Sequence, residues 1–127
     1  MVGIKHRNPG LVLLFTIITL GIYGIYWIIS TTNELRRNTT SAPNPLLWLV
    51  ILLGNLVYIS ALFTQTWILA VLAYVVILVI VIVYWWKYST AINELTGFSK
   101  GGMFALLLFV APVGMILAQI ELNKKAD

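Results

Sequence analysis

The chain has 127 residues, enough for one small domain. Hydrophobic residues make up 61% of it and charged residues 9%, too few polar side chains to coat a soluble fold, where about a quarter are charged. The net charge of +4 is scattered over Lys5, Arg7, Arg36, Arg37, Lys87, Lys100, Lys124 and Lys125. Each of these flanks an apolar stretch, which suits lipid headgroups and argues against a clustered nucleic-acid surface. Cysteine is absent, which excludes disulfides, thiol catalysis and cysteine-ligated metals.

The opening MVGIKHRNPG and the LVLLFTIITL after it resemble a secretory signal. No small-residue cleavage site follows and the apolar run continues through IYGIYWII, so a retained membrane segment is expected over residues 10–30. Gly21 and Gly24 interrupt it, and Tyr23, Tyr26 and Trp27 near its end read as headgroup-depth anchors, since each ring has an apolar body and a polar atom. Thr31-Thr32-Asn33-Glu34 fits a capping box, the signature of a new helical turn.

In SAPNPLLW, Asn44 suits a helix cap with Pro45 as the first helical residue. The second apolar segment covers residues 46–63 and carries Gly54 and Asn55 at its centre. After FTQT, with Thr66 as a candidate cap, the third covers residues 67–88 and ends in Tyr84, Trp85, Trp86 and Tyr88, a second aromatic belt. Gly97 reads as a left-handed helix stop that extends this helix past the apolar part. The fourth, residues 103–119, contains Pro112 and Gly114.

The expected fold is all-α: a membrane helical bundle of four apolar segments in a single domain, residues 1–127. The runs approach the roughly 18–20 residues that span a hydrocarbon core. If all four cross, the basic residues divide four and four between the two faces and the positive-inside rule does not choose an orientation. Residue 5 then lies on the face opposite residue 38. In the alternative, segments one and four dip and return. Each limb would be about ten residues, roughly 15 Å or half a bilayer, and all eight basic residues would share a face. A chain reversal at membrane depth must be buried or hydrated, so four spans are favoured. A 60-residue offset lays Asn33-Glu34-Leu35 on Asn93-Glu94-Leu95 and Gly54 on Gly114, a candidate repeat of two helical hairpins.

RNPGLVLLFTIITLGIYGIYWIISTTNEL, residues 7–35, resembles the opening of the small prokaryotic membrane proteins grouped as domain of unknown function 4234. The GIYGIYW core is the most specific part. YWWKYSTAINELTG through APVGMILAQIELNK, residues 84–124, resembles the closing half of that family. The resemblance implies a compact multi-helix domain in a prokaryotic cell membrane, and it implies no reaction.

No ionisable residue lies in the middle of an apolar segment, where coupled transporters place one. Asn55 is the one strongly polar side chain deep in segment two, and it reads as an interhelical hydrogen bond that fixes packing more readily than as a pore contact. Gly21, Gly24, Gly54, Pro112 and Gly114 are further candidates for helix packing. Glu34 and Glu94 invite a shared carboxylate site, but Arg36, Arg37 and Lys100 follow them closely, and a Glu34–Arg37 pair at i, i+3 is the plainer reading. His6 stands alone, which is no metal site. No catalytic residue, cofactor or metal is expected. The expected function is helix–helix interaction, as a scaffold or regulatory subunit packing with itself or with another membrane protein. The alternatives are a small oligomeric channel or holin-like permeabiliser, and a membrane wedge built on re-entrant segments.

Overall fold

The computed structural model describes residues 4–19 and 21–126. Among these residues there are six helices and no strand: α1 (Pro9–Ile18), α2 (Ile22–Asn38), α3 (Leu47–Phe63), α4 (Trp67–Thr96), α5 (Lys100–Phe109) and α6 (Ala111–Asn123). The all-α expectation stands. The four-helix expectation is corrected, because segments one and four are each two helices.

The first break follows from local hydrogen bonding. Asn8 starts α1 by accepting the N–H groups of Gly10 and Leu11, with Pro9 as the first helical residue, where a missing N–H costs nothing. The helix closes at Gly21, whose φ of +95° lies in the left-handed region open to glycine; its N–H donates to the Thr16 carbonyl at 2.8 Å. Thr19 then serves both helices. Its hydroxyl donates to the Phe15 carbonyl at 2.7 Å and accepts the Tyr23 N–H at 2.9 Å, satisfying one of the orphan donors that open α2. The second break is set by Pro112, which has no N–H to continue α5 and whose ring would meet the carbonyl four residues back. Val110 leaves the helical region with φ −134° and ψ 63°.

Both pairs fold back on themselves. Phe15 meets Tyr23 edge-on at 5.5 Å, a Cβ on Gly24 would stand 3.1 Å from the Thr16 methyl, and farther out Arg7 reaches Glu34. The Arg7–Glu34 pair lies earlier than the other two on the α1 side and later on the α2 side, the opposite order of an antiparallel hairpin. In the other pair a Cβ on Gly114 would lie 2.8 Å from the Leu107 amide nitrogen, so α5 and α6 touch backbone to backbone.

The chain divides into two compact units. Unit 1 holds the residues up to Pro43 and those from Trp85 onward; in it α1 packs on α2 and α6, and α5 on α6. Its interior includes Trp27, Leu35, Tyr88, Ile92, Met103 and Leu122. Unit 2, Asn44–Tyr84, is a hairpin of α3 and the first part of α4. Trp48 meets Tyr84 at 5.7 Å and Tyr58 meets Tyr74 at 6.1 Å, and a Cβ on Gly54 would press the Ile77 side chain at 2.9 Å. No Asp, Glu, Lys, Arg or His occurs in unit 2.

Among the described residues α4 is the one helix long and apolar enough to cross a membrane, while α1, α3 and α5 are apolar but shorter. Gly97 does end α4, with φ +79° and its N–H on the Asn93 carbonyl. The capping box at residues 31–34 does not form, because α2 runs through it and the Thr31 hydroxyl donates back to the Trp27 carbonyl. Asn44 accepts the Leu46 N–H, but α3 begins at Leu47, beyond Pro45. The 60-residue offset lays the single helix α3 over the break at Val110, so the repeat does not extend to whole hairpins.

The backbone contact at Gly114 yields a test. Gly114→Ala is expected to destabilise the protein by about 1–3 kcal/mol, the range for overpacking, because Leu107 backbone cannot yield as a side chain tip does. Gly101→Ala, at a site open to space, is expected to leave stability unchanged or slightly raised. Thermal unfolding in micelles compares the two; equal effects would contradict the close approach.

Candidate functional site

The buried polar side chains among the described residues are Thr31, Thr32, Glu34, Ser89 and Gln119, and all of them belong to unit 1. Two of its helices, α2 and α6, and the segment before α1 meet there in one chain of hydrogen bonds. Glu34, late in α2, takes the Arg7 guanidinium in a forked pair, Nη2 to Oε2 at 2.7 Å and Nη1 to Oε1 at 3.1 Å. The Lys5 N–H adds a third bond to Oε1 at 3.0 Å. The side chains of Arg7 and Glu34 are 11% and 3% exposed. Burial opposes the Arg7 charge, but the hydrogen bonds and charge of Glu34 outweigh it and hold the guanidinium pKa above its usual value.

Asn123, at the end of α6, grips the same segment. Its Oδ1 accepts the Arg7 N–H at 2.9 Å and its Nδ2 donates to the Arg7 carbonyl at 2.6 Å. One turn earlier, Gln119 donates to Asn123 Oδ1 at 2.8 Å and accepts the Trp27 indole N–H at 2.7 Å. Gln119 and Asn123 are four apart, so they share a face of α6. Beside this chain the Thr31 and Tyr88 hydroxyls lie 2.8 Å apart, joining α2 to α4, and the Trp27 and Tyr88 rings sit 6.3 Å apart.

The sequence candidates are distributed as follows. Trp27, Tyr84, Trp85 and Tyr88 are buried, Tyr23 and Tyr26 are half-buried and exposed, and Trp86 is exposed with the Lys100 ammonium 5.6 Å above its ring. Gly24 and Gly114 are buried at hairpin contacts, while Pro112 is exposed at the second break. Gly21 makes the first turn. Gly54 touches Ile77, and Asn55 is exposed and donates to the Ile51 carbonyl of its own helix at 3.0 Å. The two glutamates hold different partners. Glu94 receives the Thr40 N–H at 3.1 Å and the Ser41 hydroxyl at 2.8 Å, so each NEL glutamate pins a non-helical stretch of chain. No three His, Asp or Glu side chains gather as a metal site among the described residues.

A forked, thrice-bonded carboxylate is a fastener. Both oxygens of Glu34 are occupied by fixed donors, which suits holding the segment before α1 against α2 and α6. The residues missed from the sequence are Arg7, Gln119 and Asn123; the i, i+4 amides at the end of an apolar run were the available signal.

Breaking one partner of a buried pair strands the other charge. Glu34→Ala is therefore expected to cost roughly 3–5 kcal/mol, whereas Arg7→Met with Glu34→Leu recovers most of it. Glu94→Ala, at an exposed carboxylate, is expected to change little. Unfolding in micelles reads all three, and an equal effect of Glu34→Ala and Glu94→Ala would contradict the fastener.

Neither a curated protein nor a solved structure matches the chain. A family model does match, over residues 7–94, which runs from Arg7 through Glu34 to Glu94 and leaves α5 and α6 outside the matched stretch. The chain belongs to the family described as domain of unknown function DUF4234.

Proposed function

We propose that this chain is a membrane wedge: unit 1 lies in one leaflet as two helical hairpins that return to the face they came from, and unit 2 crosses. The observation that carries this reading is the length and polarity of the two short hairpins. At ten residues, α1 and α5 are each about 15 Å long, half the hydrocarbon thickness. Their turns are apolar and exposed: Ile18 is 64%, Ile22 72% and Phe109 78% accessible. The opposite ends carry Arg7, Arg36, Arg37, Lys100, Lys124 and Lys125, and Arg7 is bonded to both Glu34 and Asn123.

The physical objection to a reversal at membrane depth is the backbone it exposes. Here the bonds at Thr19, Gly21 and Val110 take up those groups inside the turn, Val110 N–H on the Leu106 carbonyl and Gly114 N–H on the Val110 carbonyl among them. Unit 2 supplies a hairpin with no charge to bury. Hairpins of unit 1 so placed fill area in one leaflet alone, which couples them to bilayer curvature. The chain's partners are lipid and, through helix packing, a second copy or another membrane protein. That scaffold reading is favoured by one observation, the exposed amide of Asn55 on an uncharged hairpin.

Tethers pulled from giant vesicles holding the labelled protein test the wedge. The tether-to-vesicle fluorescence ratio is expected to exceed that of a lipid dye, in the orientation that puts the basic ends on the convex leaflet. A ratio equal to the dye's in both orientations would overturn the reading.

A further inference from the structure

Asn55 is an amide of unit 2 whose hydrogen bonding its own surroundings leave unfinished. It sits at the centre of α3 and is exposed. One amide N–H goes to the Ile51 carbonyl, and Oδ1 receives no hydrogen bond among the described residues. Hydrocarbon offers no donor, so an amide carbonyl facing lipid there is costly. One and two turns along the same flank, Tyr58 and Leu62 line an open cleft of about 310 Å³ with Trp67, Ala70, Val71 and Tyr74. The flank is thus concave, apolar and marked by one amide.

We infer that a second copy of this chain covers this flank, with the two Asn55 side chains bonded to each other across a two-fold axis. An amide has one spare N–H and one spare carbonyl here, and two copies related by a two-fold exchange them reciprocally, N–H to Oδ1 in both directions. No other polar side chain of the partner is required, and unit 2 carries no charge to repel its copy. The inference rests on α3 and α4 lying in the membrane.

The absence of cysteine makes a clean experiment, because an introduced thiol is the only one. In native membranes, oxidation of Leu62→Cys, which keeps the amide, is expected to give a product of twice the chain mass. Leu53→Cys, in the groove on the other flank of the hairpin, is expected to give little. Adding Asn55→Leu to Leu62→Cys should weaken the dimer by about 3- to 20-fold, the span measured for such bonds between membrane helices, and Asn55→Gln should keep most of it. No dimer from Leu62→Cys, equal yields from Leu53→Cys, a product of another mass, or indifference to Asn55→Leu would each overturn the inference. Alkaline carbonate separates the two levels. Protein released by carbonate defeats the membrane placement itself, whereas protein retained but monomeric defeats only the dimer.

Discussion

The Arg7–Glu34 pair fastens the open end of the first hairpin, on which the packing of unit 1 depends. It joins the chain just before α1 to the end of α2, and Asn123 ties the same arginine's backbone to the end of α6. A hairpin of short helices has little interior to hold it, since each helix is only a few turns long and isolated helices of that length are marginal. Fixing the open ends removes the freedom to splay. A bidentate guanidinium suits this because its fork holds an angle as well as a distance, which an ammonium cannot do.

The remaining interior follows from that closure. With the hairpin ends pinned, Trp27 faces Gln119, and Thr31 faces Tyr88, so every polar atom of these four that enters the core meets a partner. Fully paired buried networks specify one arrangement, since any other leaves donors unpaired. The amides of α6 that complete the network lie beyond Glu94, the last residue matched to the family, while the arginine and the carboxylate they surround lie within it. The fastener thus combines residues from both parts of the chain.

Much of this was legible in the sequence. The α3–α4 hairpin, the glycine stop at Gly97 and the helical class follow from run length and punctuation, and the family follows from GIYGIYW. The two breaks were not. Gly21 and Gly24 are ordinary in spanning helices, and what turns the chain is the doubly bonded hydroxyl of Thr19, one threonine among many. The aromatic residues carry two readings for a physical reason: an apolar ring with one polar atom fits a headgroup layer and a buried hydrogen bond equally, and Trp27 and Tyr88 make buried hydrogen bonds. Glu34 had near cations at Arg36 and Arg37, and its forked partner is 27 residues away, beyond what local spacing can indicate.

A wedge requires that the short hairpins return to the face they leave. Single cysteines at Lys5, Asn38, Lys124 and Gln65, each in the otherwise cysteine-free chain, can be labelled with a membrane-impermeant maleimide from either side of oriented vesicles. The expected result is that residues 5, 38 and 124 label from one face and residue 65 from the other. Residue 5 labelling with residue 65, opposite residue 38, would mean that the first apolar segment crosses, and would contradict the wedge.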